Sequence, residues 1–441
     1  MTLHGPQPAA FQERRRKVRE QLSGAVLFLP ETPEALYAND VHYPYRPETN
    51  IRYLCGFEEP AALLLTSHGG EEDGFTLCVR PRDEHSEIWT GRRAGVEGAR
   101  DVYGADHAHT LDKTYEVLLK HLRQASRLYY SYSPDPAVNQ KVLAAVHQAN
   151  LERPRKGGDA IVVAEATPLL AEHRLRKRPE EVELMRTAGR ISGEAHARIV
   201  ETLRPSMTEY QVQAQLEHDF RFGGCTGPAY GSICAGGADA TILHYTRNDK
   251  ALADSELILI DAAGEYGGYC ADITRTFPVG ASYSKAQAEL YDLVLAAQLA
   301  AIDAIRPGAT IESVHKTAVR VLTQGMLDLG LLQGTLDECI EKNAHQPFYM
   351  HNTSHWLGMD VHDAGAYRVG DASRTLEPGM VLTVEPGLYV RANAEVDQRW
   401  HGIGIRIEDD VLVTDSGHEI LTGSAPKDRA DIERVRRRAL A

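Results

Sequence analysis

Four carboxylates in the second half of the 441-residue chain each follow or interrupt a short apolar run. They are Asp261, Asp272, Glu385 and Glu408. Leu257 to Ile260 predicts a strand that ends in the first acid, and a glycine-rich turn separates it from a strand that carries the second. Met380 to Val384 and Gly402 to Ile407 repeat the arrangement around the other two. The repeat predicts a duplicated half-domain whose two strand pairs deliver four acids to one place.

Strand geometry predicts that these carboxylates are buried. Alternate residues of a strand share a face, so Asp261 points the same way as Leu259, and Glu385 shares the apolar face of its own strand. A buried carboxylate is costly unless it meets a cation, and the nearby sequence supplies chiefly Arg275 and Arg406 for four acids. The shortage of cations favours a metal site. For any one acid alone, a salt bridge to a helix lysine or arginine is the alternative explanation.

A histidine cluster lies between the two acidic strand pairs, in the sequence MHNTSHWLGMDVHDAG. His351, His355 and His362 lie close together there, which favours one wall of a site over three separate core histidines. The first two have the spacing of a zincin helix, but Asn352 stands where that motif requires a glutamate base. His244 follows a glycine-rich loop and is a candidate for the same site, although its sequence context fits a structural role equally well.

Other chemistries lack their sequence signatures. The chain contains no G-x-S-x-G, G-x-x-x-x-G-K or G-x-G-x-x-G motif. Cys270 has no neighbour that would activate a nucleophile, so we interpret it as a buried strand thiol. The 6 cysteines are widely spaced and include no C-x-x-C pair, which argues against a disulfide framework or a zinc knot and fits a reducing cytoplasm.

The charge balance and the apolar runs exclude further classes. The chain has 48 lysines and arginines against 62 acids, a net charge of −14, which disfavours nucleic acid as a partner. No run approaches the ~18 apolar residues of a membrane span. The short apolar run after Arg14 to Lys17 does not make an export signal, so we expect a cytoplasmic protein without a membrane partner.

The elements that must position these residues fall into two predicted domains. Residues 1–175 mix apolar strands with helical stretches and predict a smaller N-terminal α/β domain. The charged run Ala171 to Glu181 marks the boundary, and Pro179 within it predicts the start of a long amphipathic helix. Residues 176–441 then form the catalytic domain, with a second long helix predicted over Gln287 to Ile305.

Four motifs together carry a family resemblance. DAAGEYGGYCADITRTFPV, HWLGMDVHDAG, LTVEPGLYV and GIGIRIEDD, in this order, resemble the Xaa-Pro aminopeptidase (aminopeptidase P) branch of the pita-bread metallopeptidases. Upstream, YPYRPETNIRYLCGFEEPAALLL and EIWTGRR are similar to the non-catalytic N-terminal domain of that branch. The resemblance implies an α+β fold with a C-terminal pita-bread (creatinase/aminopeptidase-like) catalytic domain.

The resemblance also implies a dinuclear metal centre, usually of manganese. Its ligands would be Asp261, Asp272, His355, Glu385 and Glu408, with Asp272 and Glu408 bridging both ions. Four carboxylates and one imidazole form an oxygen-rich set that suits Mn²⁺. Two such ions would hold a bridging hydroxide near neutral pH and polarise the scissile carbonyl.

Further residues take roles from the resemblance. His244, His351 and His362 would contact substrate or assist proton movement, and Arg406 would order the acidic side of the site. Trp89 resembles the tryptophan that reaches a neighbouring subunit's site in the family's tetramers, which implies a homotetramer. The sequence departs from close relatives, which tend to carry glycine and a small apolar residue, at Asn352-Thr353.

The expected activity is hydrolysis of the N-terminal Xaa-Pro bond of peptides. Glu385 would accept a proton from the attacking water, and His362 would stabilise charge on the carbonyl oxygen. His351, Tyr389 and a neighbour's Trp89 would form the wall around the proline ring. The alternatives are a prolidase acting on Xaa-Pro dipeptides and a non-catalytic peptide-binding relative. A two-metal phosphodiesterase fits the acids but lacks a phosphate cradle.

Overall fold

A computed structural model describes residues 8–156 and 158–441 of the chain. Its internal contacts divide the chain into two compact units, Met1–His173 and Arg174–Ala441. Each unit combines helices with its own sheets, which confirms the predicted α+β class. Among the described helices, none has the length and apolar character that crossing a membrane requires.

The N-terminal unit is built on a six-stranded sheet. The described strands of this unit, in that sheet and in a separate hairpin, are β1 (Ala25–Leu29), β2 (Leu36–Ala38), β3 (Val41–His42), β4 (Ala61–Thr66), β5 (Phe75–Val79), β6 (His107–Thr110), β7 (Arg127–Tyr129) and β8 (Val162–Ala164). Its helices are α1 (Pro8–Leu22), α2 (Thr49–Cys55), α3 (Glu84–Thr90), α4 (Gly95–Asp101), α5 (Thr114–Leu122), α6 (Pro136–Glu152) and α7 (Thr167–Leu175). The last two residues of α7 lie beyond the unit boundary at His173.

The strand order of this sheet is β6-β5-β4-β1-β7-β8, and β2 pairs with β3 in a separate hairpin. Strand β4 is antiparallel to both neighbours, whereas the outer pairs are parallel. Phe28 and Leu64 of the sheet belong to one apolar core with Leu118 of α5 and Val142 of α6. Because β1, β4 and β5 are buried on both faces, their sequences are largely continuous apolar runs and do not alternate between apolar and polar residues.

The C-terminal unit contains more numerous and shorter strands. Its helices are α8 (Pro179–Thr202), α9 (Glu209–Phe222), α10 (Lys285–Asp303), α11 (Ile311–Asp328), α12 (Leu336–Glu341) and α13 (Arg429–Leu440). Its strands are β9 (Gly227–Pro228), β10 (Ile233–Gly236), β11 (Leu257–Asp261), β12 (Gly264–Tyr266), β13 (Tyr269–Cys270), β14 (Thr274–Pro278), β15 (Arg368–Val369), β16 (Ala372–Ser373), β17 (Val381–Val384), β18 (Gly387–Val390), β19 (Ile403–Arg406), β20 (Asp409–Val413) and β21 (His418–Ile420).

Two bent hairpins form the centre of this unit. In the first, β11 pairs with β14 in one sheet, while the continuation of the hairpin through β12 and β13 belongs to another sheet. Gly267 and Gly268 make its turn, with φ of 57° and 90°, where a side chain would strain the backbone. In the second, β17 pairs with β20 and β18 pairs with β19, again in two sheets. Each hairpin therefore bends where its strands change sheet, as the predicted repeat requires.

The two long helices differ little from the prediction. Pro179 begins α8, and the Glu181 carboxylate accepts a hydrogen bond from the Arg178 N–H, so this start is confirmed. Helix α10 begins two residues before the predicted Gln287, because Ser284 caps it and Gln287 is the third residue of the capping box. It also ends at Asp303 rather than at Ile305.

Candidate metal centre

The four carboxylates lie where the two hairpins change sheet. Asp261 is the last residue of β11, and Asp272 lies in the break between β13 and β14. Glu385 lies in the break between β17 and β18, and Glu408 in that between β19 and β20. The prediction that Asp272 and Glu408 are carried on strands was therefore wrong. The breaks free these side chains from strict alternation, so both hairpins direct two acids to one point.

His355 reaches the acids from a segment without regular structure that runs beside β17. The Thr383 N–H donates to the His355 carbonyl at 3.0 Å, and the Leu357 N–H donates to the Val381 carbonyl at 3.1 Å. His355 Nδ1 lies 3.1 Å from the Trp356 carbonyl, to which it must donate. Nε2 consequently faces the acids, 3.4 Å from Asp272 Oδ2 and 3.7 Å from Glu385 Oε1.

Three of these residues meet the requirement for holding a metal ion. Asp272, His355 and Glu408 each offer a ligand atom, and these atoms lie within 4.8 Å of one another. Asp272 and Glu408 are buried, and His355 is half-buried. Carboxylate oxygens with one imidazole are a donor set suited to a hard or borderline divalent cation. The residues therefore fit the metal that the sequence implies.

The acids strongly disfavour one another's negative charge. Burial, helped by Asp272 and Asp261, raises the pKa of Glu385 to about 8 even though His355 and Arg406 oppose the rise. Burial and then Asp272 raise the pKa of Glu408 well above its usual range. Burial alone would lower the pKa of His355, but Asp272 and Glu385 raise it to about 9. Divalent cations would relieve this concentration of negative charge.

A hydrogen-bonded row supports the acidic side of the centre. Arg406 donates from Nη2 to Asp261 Oδ2 at 2.6 Å and from Nη1 to the Tyr389 hydroxyl at 3.0 Å. The Tyr389 hydroxyl must then donate to His351 Nε2, 2.8 Å away, so His351 carries its proton on Nδ1 and donates to the Asn352 carbonyl. The row fixes one tautomer of His351, which is neutral because burial and Arg406 lower its pKa to about 4.

Sequence reasoning missed the hydroxyl donors around the acids. The Tyr230 hydroxyl lies 2.7 Å from Asp261 Oδ1 and 2.6 Å from Asp272 Oδ1. Thr274 donates to Glu408 Oε2 at 2.6 Å. The position of Thr274, two residues after Asp272, was the one available signal, whereas Tyr230 comes from a distant loop that no local pattern connects with the hairpin.

A cavity of about 740 Å³ opens onto the centre. All five predicted metal ligands line it, together with the predicted substrate or catalytic residues His244, His351, His362 and Arg406. The rings of His355 and His362 meet edge to face, 4.4 Å between centroids. Nine of the eleven predicted site residues therefore line one cavity.

The other two predicted site residues lie elsewhere. Tyr389 is fully buried behind His351 and is not among the described residues that line the cavity, so it supports the predicted proline wall rather than forming its surface. Trp89 belongs to the N-terminal unit, on α3, and is 78% exposed. Arg275, predicted as a cation for the acids, instead pairs with Asp409 at 2.7 Å. Of the two arginines, Arg406 is therefore the one that pairs with a predicted metal ligand, Asp261.

The loop that carries His362 is anchored by a buried ion cluster that the sequence did not reveal. Asp363 binds Lys177 Nζ at 3.0 Å and also Arg174 Nη2. The Lys177 and Asp363 side chains are each 1% exposed. The Asp363 N–H donates to the Trp356 carbonyl at 2.9 Å. These contacts hold the loop against the segment bearing His355.

Known proteins are similar to this chain over nearly its whole length. Residues 183–415 match metallopeptidase family M24, and residues 11–129 match the aminopeptidase P N-terminal domain. The chain is 42% identical over 430 residues to the Xaa-Pro aminopeptidase of Escherichia coli, covering 96% of both chains. It is 41% identical over 426 residues to that of Haemophilus influenzae, again covering 96% of both.

Solved structures give the same result for the fold. Pseudomonas aeruginosa aminopeptidase PepP superposes with a TM-score of 0.95 at 41% identity, covering 99% of this chain and 100% of that one. Zn-substituted Escherichia coli aminopeptidase P in complex with product gives a TM-score of 0.94 at 40% identity, covering 99% of both chains. A variant of the same enzyme in complex with substrate gives 0.94 at 39% identity, also with 99% of both.

Proposed function

This chain belongs to metallopeptidase family M24, and from that premise we propose that it is an Xaa-Pro aminopeptidase with a C-terminal pita-bread domain. It releases the first residue of peptides whose second residue is proline, as the names of its relatives indicate. The observation that carries the proposal is the convergence of four acids and His355 on one cavity lined by three further histidines.

The residues that would hold the metal are Asp261, Asp272, His355, Glu385 and Glu408. The oxygen-rich donor set favours Mn²⁺ over ions that prefer thiolates. When bound, two divalent cations supply Lewis-acid activation of water and of the scissile carbonyl. The fixed orientation of His355 Nε2 and the group that this residue forms with Asp272 and Glu408 support this assignment.

The remaining steps belong to the chain's own side chains. Glu385, at the edge of the acid group and 3.8 Å from His351 Nδ1, accepts the proton of the attacking water. His362 and His244 face the same cavity and stabilise charge that develops on the carbonyl oxygen. Arg406 holds Asp261 in place through their 2.6 Å contact. The acidic cavity attracts the positive amino terminus of the peptide.

The cavity favours longer peptides over Xaa-Pro dipeptides. A prolidase needs a cation that captures the free carboxylate of its dipeptide. Among the described residues that line the cavity at the acids, Arg406 is the one arginine or lysine, and it already contacts Asp261 and Tyr389. No lysine or arginine of this lining is thus left for a dipeptide carboxylate, which favours the aminopeptidase over the prolidase alternative.

Two measurements test the proposal. Metal analysis of the protein reconstituted with Mn²⁺ should find two ions per chain, and Asp272→Ala or Glu408→Ala should remove activity with little change in the fold.

The kcat/KM for an Xaa-Pro dipeptide should be lower than that for the same sequence extended by two residues. Full activity without bound metal would refute the mechanism, and a better dipeptide substrate would favour a prolidase. A metal-free, inactive protein that binds peptides would support the binding relative.

We also propose a cytoplasmic homotetramer in which Trp89 contributes to a neighbouring subunit's site. The 78% exposure of Trp89 and the exposed apolar neighbour Ile88 support a contact at this helix. The widely spaced cysteines, all buried and unpaired, support a reducing compartment.

A further inference from the structure

A second, smaller cavity adjoins the proposed active site. It has a volume of about 220 Å³ and shares Asn352, Ser354 and Tyr367 with the wall of the larger cavity. We call it the side cavity; its remaining lining comes from the start of α11, from Thr353 and from the β15–β16 hairpin. Since a water molecule occupies about 30 Å³ of liquid, the side cavity has room for one amino-acid side chain.

The shared wall carries hydrogen-bonding groups that the fold leaves unused. Ser354 is 8% exposed, and its hydroxyl has no hydrogen-bond partner among the described residues. The Asn352 carboxamide, which lines both cavities, makes no side-chain hydrogen bond within the described part of the chain. An unpaired buried hydroxyl is unfavourable, so a ligand that pairs with it recovers that loss.

The residue between them is held firmly by internal bonds. Thr353 Oγ1 lies 2.6 Å from the Tyr349 hydroxyl and 2.9 Å from His315 Nδ1, and the Thr353 N–H donates to the same nitrogen at 3.3 Å. Burial, followed by His345, lowers the pKa of His315, which keeps that nitrogen an acceptor. Thr353 thus fixes the backbone that presents Asn352 and Ser354, and does not itself serve a ligand.

The charged residues of the side cavity are already engaged. Glu312 forms an ion pair with Lys316 at 2.5 Å, and the Arg368 guanidinium donates to the Asp371 carbonyl. Neither sign of charge therefore prevails in the lining. Hydroxyl and carboxamide groups both donate and accept, so they suit a neutral polar group better than an ion or an alkyl chain.

We propose that the side cavity is a specificity subsite, in which Asn352 and Ser354 bind a neutral hydroxyl or carboxamide side chain of the peptide. The proposal rests on the proposed aminopeptidase function. The side chain belongs to the first or the third residue of the peptide, which flank the proline.

Matched peptides test the subsite on the full-length, Mn²⁺-loaded protein. Threonine and valine have nearly the same shape and differ by a hydroxyl, so Thr-Pro-Ala-Ala is compared with Val-Pro-Ala-Ala, and Ala-Pro-Thr-Ala with Ala-Pro-Val-Ala. In one of the two pairs we expect the threonine peptide to have a kcat/KM roughly three- to tenfold higher, the worth of one hydrogen bond. The pair that shows the preference identifies the peptide residue.

Two variants assign the preference to the shared wall. Ser354→Ala and Asn352→Gly should each bring the threonine-to-valine ratio towards one. Because the ratio is taken within one preparation, a uniform change in metal loading cancels. Thr246→Val removes a hydroxyl from the larger cavity only and should keep the wild-type ratio.

The outcomes separate the two proposals. If wild-type protein cleaves all four peptides with ratios near one, the subsite is refuted and the aminopeptidase function stands. A preference that survives in both wall variants also refutes it. If the loaded wild-type protein cleaves none of the peptides, the failure lies with the proposed function.

Discussion

At the scale of single residues, two histidines in ring contact have different surroundings. His355 directs Nε2 at Asp272 and Glu385, with its other nitrogen bonded to the Trp356 carbonyl. His362 lies 4.4 Å away between ring centroids and lines the cavity from a separate loop. These different surroundings support the proposed roles, a metal ligand for His355 and a substrate contact for His362.

We expect His355→Ala to lose most of its bound metal, and His362→Ala to keep it while kcat falls by roughly 100-fold or more. Loss of one preorganised donor to a developing oxyanion typically costs that much. Metal analysis alongside steady-state kinetics measures both effects, with the exposed His147→Ala as a control. If His362→Ala empties the site while His355→Ala does not, the two roles are reversed.

A buried histidine pair in the N-terminal unit makes stability depend on pH. The Gly70 N–H donates to His68 Nδ1, so His68 Nε2 must donate to His121 Nδ1, 3.0 Å away. Burial, then His68, lowers the pKa of His121 to about 4. Both rings are therefore neutral in the folded chain near pH 7, and protonating His121 would remove its acceptor.

The sign of the effect follows from linkage. Below the usual histidine pKa of ~6.5, His121 binds a proton in the unfolded chain, whereas in the folded chain it binds one only near pH 4. The free energy of unfolding therefore falls as the pH drops from ~6.5 to about 4, and the contribution of neutral His121 is fully present above ~6.5. We expect a loss of about 2 kcal/mol at pH 5. Hydrogen exchange in 61–66 and 114–122 at pH 7 and pH 5 measures it. His121→Gln should have a shallower dependence; an unchanged slope would assign the effect to other groups.

At the scale of elements, the second hairpin is fastened to the first by a buried arginine. Arg275 of β14 donates to Asp409 at 2.7 Å and to the Glu408 carbonyl, and also bonds the Ala425 carbonyl at 3.0 Å. The Arg275 and Asp409 side chains are both fully buried. One guanidinium thus holds the break that carries Glu408 against the strand that follows Asp272.

We expect Arg275→Met to destabilise the protein by about 3 kcal/mol or more, because it leaves Asp409 buried with only Lys427 as a charged partner. It should also weaken metal binding, since Glu408 loses its backbone anchor. The control is Arg429→Met, whose pair with Asp292 is partly exposed and should cost less than ~1 kcal/mol. Urea unfolding and metal titration measure the two effects. Equal destabilisation by both variants would contradict the assignment.

At the scale of the whole molecule, the proposed tetramer should affect which peptides are cleaved. We expect sedimentation to give four chains per particle, and Trp89→Ala to narrow the kcat/KM advantage of extended peptides over dipeptides. The reason is that an aromatic side chain from a neighbour would complete the wall around the proline ring. Leu151→Ala on α6, an apolar side chain that is 65% exposed and lies away from α3 in the chain, is the control. A monomeric chain with the full advantage would contradict the proposal.

Local patterns were sufficient for much of the architecture. Pro179 at the start of α8 and the apolar runs β11 and β17 were predictable because caps and strand burial depend on neighbouring residues. The breaks at Asp272 and Glu408 were not, because a strand that changes sheet keeps the same apolar pattern on both sides. Tyr389 was misplaced for a similar reason, since its sequence context does not show that His351 covers it.

The sequence by itself identified the residues that we propose for the chemistry, since the acids and histidines stand out by type, spacing and position at the ends of apolar runs. Only the tertiary structure decided which partners hold them. Arg275 and Asp409 are 134 positions apart, and Lys177 and Asp363 are 186 apart. Tyr230 reaches Asp272 across 42 positions. Contacts at such separations cannot be predicted from local periodicity, because the spacing of apolar residues reports only the element that contains them and not the packing between elements.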